Sequence, residues 1–252
     1  MKPLDLTPRL AAVAAQVPPG ARLADVGTDH AYLPVWLLLA GRIVGAVATD
    51  VNQGPLQRGQ ETAQRYGVAR RMDFRRCDGL AALSPGEVDT VVIAGMGGDL
   101  MVHILSAAPW TRDVKLILQP MSTQEVLRQW LTEHGYAILW EGIAREGEKF
   151  YPLFTATGGQ SPRYSPGELW AGRQQQGEDQ AGHRCRQVQR IPDLSGDQPG
   201  EQVRQAAHGQ AGQSQQHHPE AVVDCRYKIQ GEEGNDHVPH HGADRLPGVE
   251  KG

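Results

Sequence analysis

Three cysteines (Cys77, Cys185 and Cys225) are too few, too widely spaced and odd in number for a disulfide framework or a paired-ligand zinc site. No metal is expected. Long apolar runs are also missing. The longest, Leu33 to Ala40, is interrupted by Pro34 and falls far short of the roughly 20 residues that span a bilayer. The opening MKPLDLTPRLAAVAAQVPPG carries Pro3 and only a short apolar stretch, so it does not read as a secretory signal. A cytoplasmic location without a membrane partner is the expectation. Basic excess is absent too. The chain has 25 Lys and Arg against 29 Asp and Glu, a net charge of −4, which excludes the global basic field of many nucleic-acid binders but leaves room for a local patch. No residue pattern reports on oligomeric state; a monomer is the expectation.

Large apolar side chains are scarce in one part of the chain only. Of the eighty residues from Arg173 to Gly252, eleven are Val, Ile, Leu, Met, Phe, Trp or Tyr, while fourteen are Gln and seven are His. Such a segment cannot bury enough surface to offset its ordering entropy, and disorder is expected. His217, His218, His237, His240 and His241 could chelate a metal, but a solvated polar tract is the preferred reading. No internal repeat is present.

Residues 1–172 carry the periodicities of a folded α/β domain. Thr7-Pro8 is an N-cap followed by proline at the first helical position, and Leu10, Val13, Ala14 and Val17 then share a face before Pro18-Pro19-Gly20. Strands are expected at Arg22–Gly27, Val44–Asp50, Met72–Cys77, Val88–Ala94 and Lys115–Gln119, the last stopped by Pro120. Helices are expected at Pro34–Ala40, Pro55–Tyr66 and Leu100–Ala107, and from a capping box of Ser122 and Glu125 to Gly135. Tyr136–Glu141 and Phe150–Thr157 read as a final, antiparallel pair. Strands alternating with helices predict a mostly parallel sheet with helices on both faces.

In such sheets ligands bind at the carboxyl ends of the strands. The first expected strand ends in Asp25-Val-Gly27-Thr-Asp29-His30-Ala-Tyr32, the second in Asp50-Val-Asn52, the third in Cys77-Asp78-Gly79, the fourth in Ala94-Gly95-Met96-Gly97-Gly98. All four loops are polar or glycine-rich, and three carry a carboxylate. The first is not a dinucleotide fingerprint: Asp29 and Tyr32 replace the second and third glycines of G-x-G-x-x-G, so a pyrophosphate would meet negative charge. A nicotinamide enzyme is disfavoured. A cofactor with an amino acid and a sulfonium suits these carboxylates better. Asp50 is placed for a ribose diol and Asp78 for an adenine amine, while Gly95 and Gly97 let the backbone approach a flat ligand. The pattern is a Rossmann-like class I methyltransferase, with a sheet of seven strands and S-adenosylmethionine held by Asp25, Gly27, Asp50, Asn52, Asp78, Gly79, Ala94, Gly95, Met96 and Gly97.

LADVGTDHAYLP, DGL, VVIAGMGG, LILQPM and Gly147-Glu-Lys149-Phe-Tyr151 resemble the bacterial tRNA adenine-22 N1-methyltransferase family, and the resemblance runs from about Leu6 to Gly172. It implies methyl transfer from S-adenosylmethionine to N1 of an adenine in the D-arm region of tRNA. Methylation at N1 leaves a cation on the base, which a nearby carboxylate would stabilise. Asp29 is the candidate for that role and Tyr32 for stacking on the target base. His30 could orient Asp29, contact substrate or be structural. Gln119-Pro120-Met121 could shape the pocket rim. For RNA, Arg65, Arg70, Arg71, Arg75 and Arg76 cluster and could track phosphates or form a solvated rim.

Residues 1–159 are the expected methyltransferase domain, and 160–172 resemble the start of the family's helical C-terminal domain. At Arg173 the resemblance stops: 173–252 show no heptads and almost no leucine. A shifted reading frame beyond codon 172 would produce this break, and would impair the activity. Two other readings share the cofactor site: a methyltransferase of small molecules or proteins, and a non-catalytic nucleotide-binding remnant.

Overall fold

The computed structural model describes residues 4–172; the expectations for 173–252 lie outside them. One seven-stranded sheet runs in the order β3-β2-β1-β4-β5-β7-β6. Its parallel part comprises β1 (Ala21–Val26), β2 (Ile43–Asp50), β3 (Met72–Arg76), β4 (Thr90–Gly97) and β5 (Lys115–Ser122). β6 (Tyr136–Glu146) and β7 (Lys149–Gly158) form a hairpin whose second strand lies antiparallel to β5. Helices α1 (Pro8–Gln16), α2 (Tyr32–Leu39), α3 (Gln53–Arg65), α4 (Gly98–Ser106), α5 (Gln124–Glu133) and α6 (Pro166–Ala171), with short 3-10 helices at Ala69–Arg71 and Pro109–Asp113, complete the elements of the described residues.

The two cores follow the two-residue period of the strands. Val91, Ile93, Leu116 and Leu118 join Met101, Leu105, Leu127 and Tyr136 on one face. Val92 and Ile117 join Val13, Val35, Leu37 and Ala63 on the other. Strands β1, β4 and β5 are thus apolar on both sides, which explains their continuous hydrophobic runs. The Thr7 side chain accepts a hydrogen bond from Leu10 N–H and Pro8 opens α1, as its sequence predicts.

Four local expectations are corrected. β5 does not stop at Pro120, which is buried inside it opposite Met96. β7 pairs with β5 only over Leu116–Leu118, so no β7 carbonyl faces the proline's missing N–H. Ser122 does not cap α5; it pairs with Gly97 in the ladder, and α5 begins after Thr123, whose φ is +49°. The Thr123 hydroxyl instead accepts from Asp99 N–H at 3.3 Å, serving the first turn of α4. Gly98 is required there, because a Cβ at that position would lie 2.3 Å from Thr123 O. α2 starts at Tyr32 rather than Pro34, after Ala31 in the left-handed region (φ +54°). The hairpin strands are longer than expected, reaching Glu146 and starting at Lys149.

Candidate active site

The parallel strands align so that Val26, Thr49 and Ile93 lie side by side at the carboxyl edge. The loops after β1, β2 and β3 and the end of β4 therefore share the carboxyl edge of the sheet, where such folds place their ligand crevice. Gly27, directly after β1, has φ +74°, and a Cβ there would lie 2.0 Å from the Met96 terminal methyl. Met96 from the β4 end thus reaches over the β1 turn, so the glycine-bearing ends of β1 and β4 are in contact. Gly95 has φ +81°, and its Cβ direction points toward Arg9 Nη1 at 3.4 Å. Gly79, after β3, has φ +53°; its carbonyl accepts from the Thr49 hydroxyl at 2.9 Å, tying the third loop to β2.

The carboxylates differ in setting. Asp50 Oδ1 accepts from Asn52 N–H at 2.7 Å, a local turn that starts α3. Asp78 is exposed, with His103 Nε2 at 4.0 Å from its Oδ2. Asp29 is exposed and carries a cation on one oxygen and an imidazole near the other. Arg58 Nη2 lies 2.5 Å from Oδ1, and His30 Nε2 lies 3.5 Å from Oδ2. The His30 and Tyr32 rings are stacked, 5.0 Å between centroids and 6° between planes. Asp29, His30 and Tyr32 are therefore brought together, with Tyr32 at 42% exposure open to a ligand. Arg58 was not legible from the sequence: it sits 29 residues away on a polar helix face.

A second missed residue, Arg9, crosses the crevice wall. Its Nη1 donates to the buried Gln119 Oε1 at 2.8 Å, its backbone N–H donates to Glu146 Oε2 at 3.2 Å, and its guanidinium lies 5.5 Å from the Tyr151 ring centroid. Gln119 Nε2 donates to Pro120 O at 2.8 Å. Helix α1, the end of β5 and the hairpin are joined at this one side chain.

A family model described as "Methyltransferase domain" matches residues 6–154. The tRNA (adenine(22)-N(1))-methyltransferase of Bacillus subtilis is 38% identical over 161 residues, covering 63% of this chain and 68% of that protein. The chain belongs to this methyltransferase family. A Streptococcus pneumoniae relative crystallised with S-adenosyl-L-methionine is 38% identical, with TM-score 0.63 over 66% of this chain and 78% of that one. M. capricolum TrmK, solved with S-adenosyl-homocysteine, is 28% identical, with TM-score 0.62 over 68% of this chain and 76% of that one. The Rossmann-like fold expected for this methyltransferase is the one observed.

The structure divides the arginine cluster between the two ends of the sheet. Arg75 pairs with Asp73 and Glu87, raising its own affinity for the proton and holding Glu87 below the usual carboxylate range. Arg71 Nη2 donates to Leu38 O at 3.1 Å and Arg76 Nε to Val51 O at 3.0 Å. Arg70 and Arg71 line a groove of about 430 Å³ with Arg22, Val44 and Met72, at the amino ends of the strands, away from the crevice. Arg65 closes α3 at that same end. Three of the five are committed to the fold, and the sequence could not show it because Glu87 and Leu38 are distant partners. Among the described residues no group of three or more His, Cys, Asp or Glu side chains could hold a metal ion, and no helix is long and apolar enough to cross a membrane.

Asp25 is buried beneath the Gly27 turn, and burial pushes its carboxyl up to about 6, with Thr28 pulling it part of the way back. The buried Thr28 hydroxyl nevertheless reaches no hydrogen-bond partner of good geometry. A folded-state pKa above the unfolded value stabilises the fold fully below about 4, and that contribution is lost as pH rises through about 6. The ionised acid then costs on the order of 3 kcal/mol. Asp25→Asn is expected to be more stable than the parent by about 2–3 kcal/mol at pH 7.5, and by only about 1 kcal/mol at pH 4.5. Urea unfolding at the two pH values measures the difference; a gap that does not change with pH would contradict the assignment.

Proposed function

We propose that this chain transfers a methyl group from S-adenosylmethionine to N1 of an adenine in tRNA, at position 22 in the D arm. The observation that carries the reading is the Asp29–His30–Tyr32 cluster just beyond the Gly27 turn, over which Met96 from the end of β4 reaches, in a chain 38% identical to the Bacillus subtilis enzyme.

The residues present fit the cofactor. The positive-φ turns at Gly27 and Gly95 bring backbone, not Cβ atoms, to the crevice, and only the flexible end of Met96 covers the first. The unpartnered buried Thr28 hydroxyl is a polar group in the first of these turns. Asp25, Gly27, Ala94, Gly95, Met96 and Gly97 would hold the amino-acid end. Asp50 and Asn52 would hold the ribose, Asp50 through the oxygen not used by Asn52, and Asp78 and Gly79 the adenine. When bound, S-adenosylmethionine supplies a methyl group made electrophilic by a sulfonium.

Adenine N1 already has an in-plane lone pair, so the protein's task is positioning and charge balance. Asp29 accepts a hydrogen bond from the exocyclic amine and balances the charge that N1 acquires. Arg58 and His30 hold the carboxylate in one orientation. Tyr32, backed by His30, offers an aromatic face to an unstacked base.

Incubating the protein with unmodified tRNA and methyl-labelled cofactor, then mapping modified adenines by primer extension, tests the reading. A single stop at the D-arm adenine is expected, and its loss when that adenine is replaced by guanine. Label in other positions, or none in tRNA, would refute it.

A further inference from the structure

The Gly147-Glu-Lys149-Phe-Tyr151 motif is not accounted for by cofactor binding or by Asp29. It forms the β6–β7 turn. Because β7 runs antiparallel to β5, this turn lies at the carboxyl end of the sheet, the end that holds the crevice. β7 pairs with β6 from Lys149 to Gly158 but with β5 only from Phe154 to Ala156. Lys149–Leu153 therefore extend past the β5 ladder, by roughly 17 Å at strand rise. The extension is braced rather than loose. Leu153 and Ala144 pack in one cluster with Ala12, Val13 and Val17, and Arg9 ties Glu146 and Tyr151 to Gln119 at the crevice.

At the tip, Phe150 is 57% exposed, a large apolar ring left in solvent. The Arg145 guanidinium lies 5.8 Å from its centroid, with Nε donating to Gly147 O at 2.9 Å. Lys149 is exposed, and its ammonium has no partner among the described residues. Glu148 is exposed at the same turn and lowers the net positive charge, so the tip is a mixed aromatic and cationic surface rather than a basic patch. An aromatic ring beside a guanidinium suits an unpaired base, and Lys149, opposite Glu146 and on the other face of the ribbon from Phe150, suits a neighbouring phosphate.

We propose that Arg145, Lys149 and Phe150, on a braced hairpin tip rising beside the crevice, form a docking surface for the RNA strand that carries the target adenine. This rests on the reading of tRNA as substrate. The arginines at the amino ends of the strands lie on the wrong edge for that task, and Arg75 is already paired.

Binding of the full-length protein to unmodified tRNA, measured by fluorescence anisotropy from 50 to 200 mM salt, tests the assignment. For Arg145→Ala/Lys149→Ala the slope of log affinity against log salt is expected to fall by about 1.5, the contribution of two phosphate contacts. Phe150→Ala is expected to weaken binding about tenfold with the slope unchanged. Cofactor affinity, measured by calorimetry, stays within about twofold in both variants, which excludes misfolding. Parent-like slope and affinity in the variants overturn the docking surface while leaving the substrate intact. A parent chain that binds no tRNA overturns the substrate reading, and the docking surface with it.

Discussion

Asp29→Ala is expected to lower methyl transfer by about 10²–10⁴-fold, the range for a positioned acid–base group, while S-adenosylmethionine affinity changes by less than about tenfold. The separation follows from where the side chain sits. Asp29 is two residues beyond Gly27 and 69% exposed, and its oxygens face Arg58 and His30 rather than the Gly27 and Gly95 turns. Removing it leaves Asp50, Asp78 and both turns intact. Asp29→Asn keeps the shape and the acceptor oxygen but loses the charge, so it is expected to fall between the parent and Asp29→Ala. Single-turnover methylation of tRNA with independent cofactor titration measures both quantities. Turnover within fivefold of the parent in Asp29→Ala would remove the assigned role.

The largest stability effect is expected at Arg128. This buried arginine donates from Nε to Glu141 Oε2 at 2.9 Å and from Nη1 to Leu169 O at 2.6 Å, and it lies 4.7 Å from the Phe154 ring centroid. Tyr164 donates its hydroxyl to the other Glu141 oxygen at 2.7 Å. One ion pair thus fastens α6 to α5 and β6. Arg128→Met leaves a buried carboxylate without its cation and the carbonyls at the end of α6 without a donor. The expected loss is about 3–5 kcal/mol, or roughly 10 °C in Tm for a domain of this size. Arg128→Met/Glu141→Met is expected to recover much of it, since no charge is then stranded. Thermal unfolding of the two variants decides the matter, and a single variant melting within about 2 °C of the parent would contradict it. Limited proteolysis of Arg128→Met should cut first between residues 159 and 165, where the chain crosses to α6.

The strands were legible wherever burial on both faces left a continuous apolar run, as in Val91–Ile93 and Leu116–Leu118. Helix starts were less so, because they depend on contacts outside the local pattern. Ser122 and Glu125 have capping spacing, yet Ser122 is held in β5 by Gly97. Pro120 reads as a stop because a proline inside a parallel strand normally removes a needed donor, and here the pairing of β5 with β7 ends at Leu118, before the proline. The site was legible as a set of strand-end loops, since sheet topology brings such loops together whatever their sequence separation. Its cations were not. Arg58 and Arg9 sit on helices whose polar residues carry no sign of which ones turn inward, and the salt bridge of Arg75 was hidden because its partner Glu87 is distant in the sequence.

The place of β7 between β5 and β6 has a consequence for how the molecule comes into being. A ribosome delivers Tyr136–Glu146 before the strand that must separate it from Leu116–Leu118. Until Gly158 has emerged, the buried flank of β5 is an open edge, and the nascent protein carries an unfilled slot one place in from the end of the sheet. Assembly of this side of the sheet is therefore a late insertion, and the crevice wall that Arg9 spans is finished only by β7, the last of the described strands.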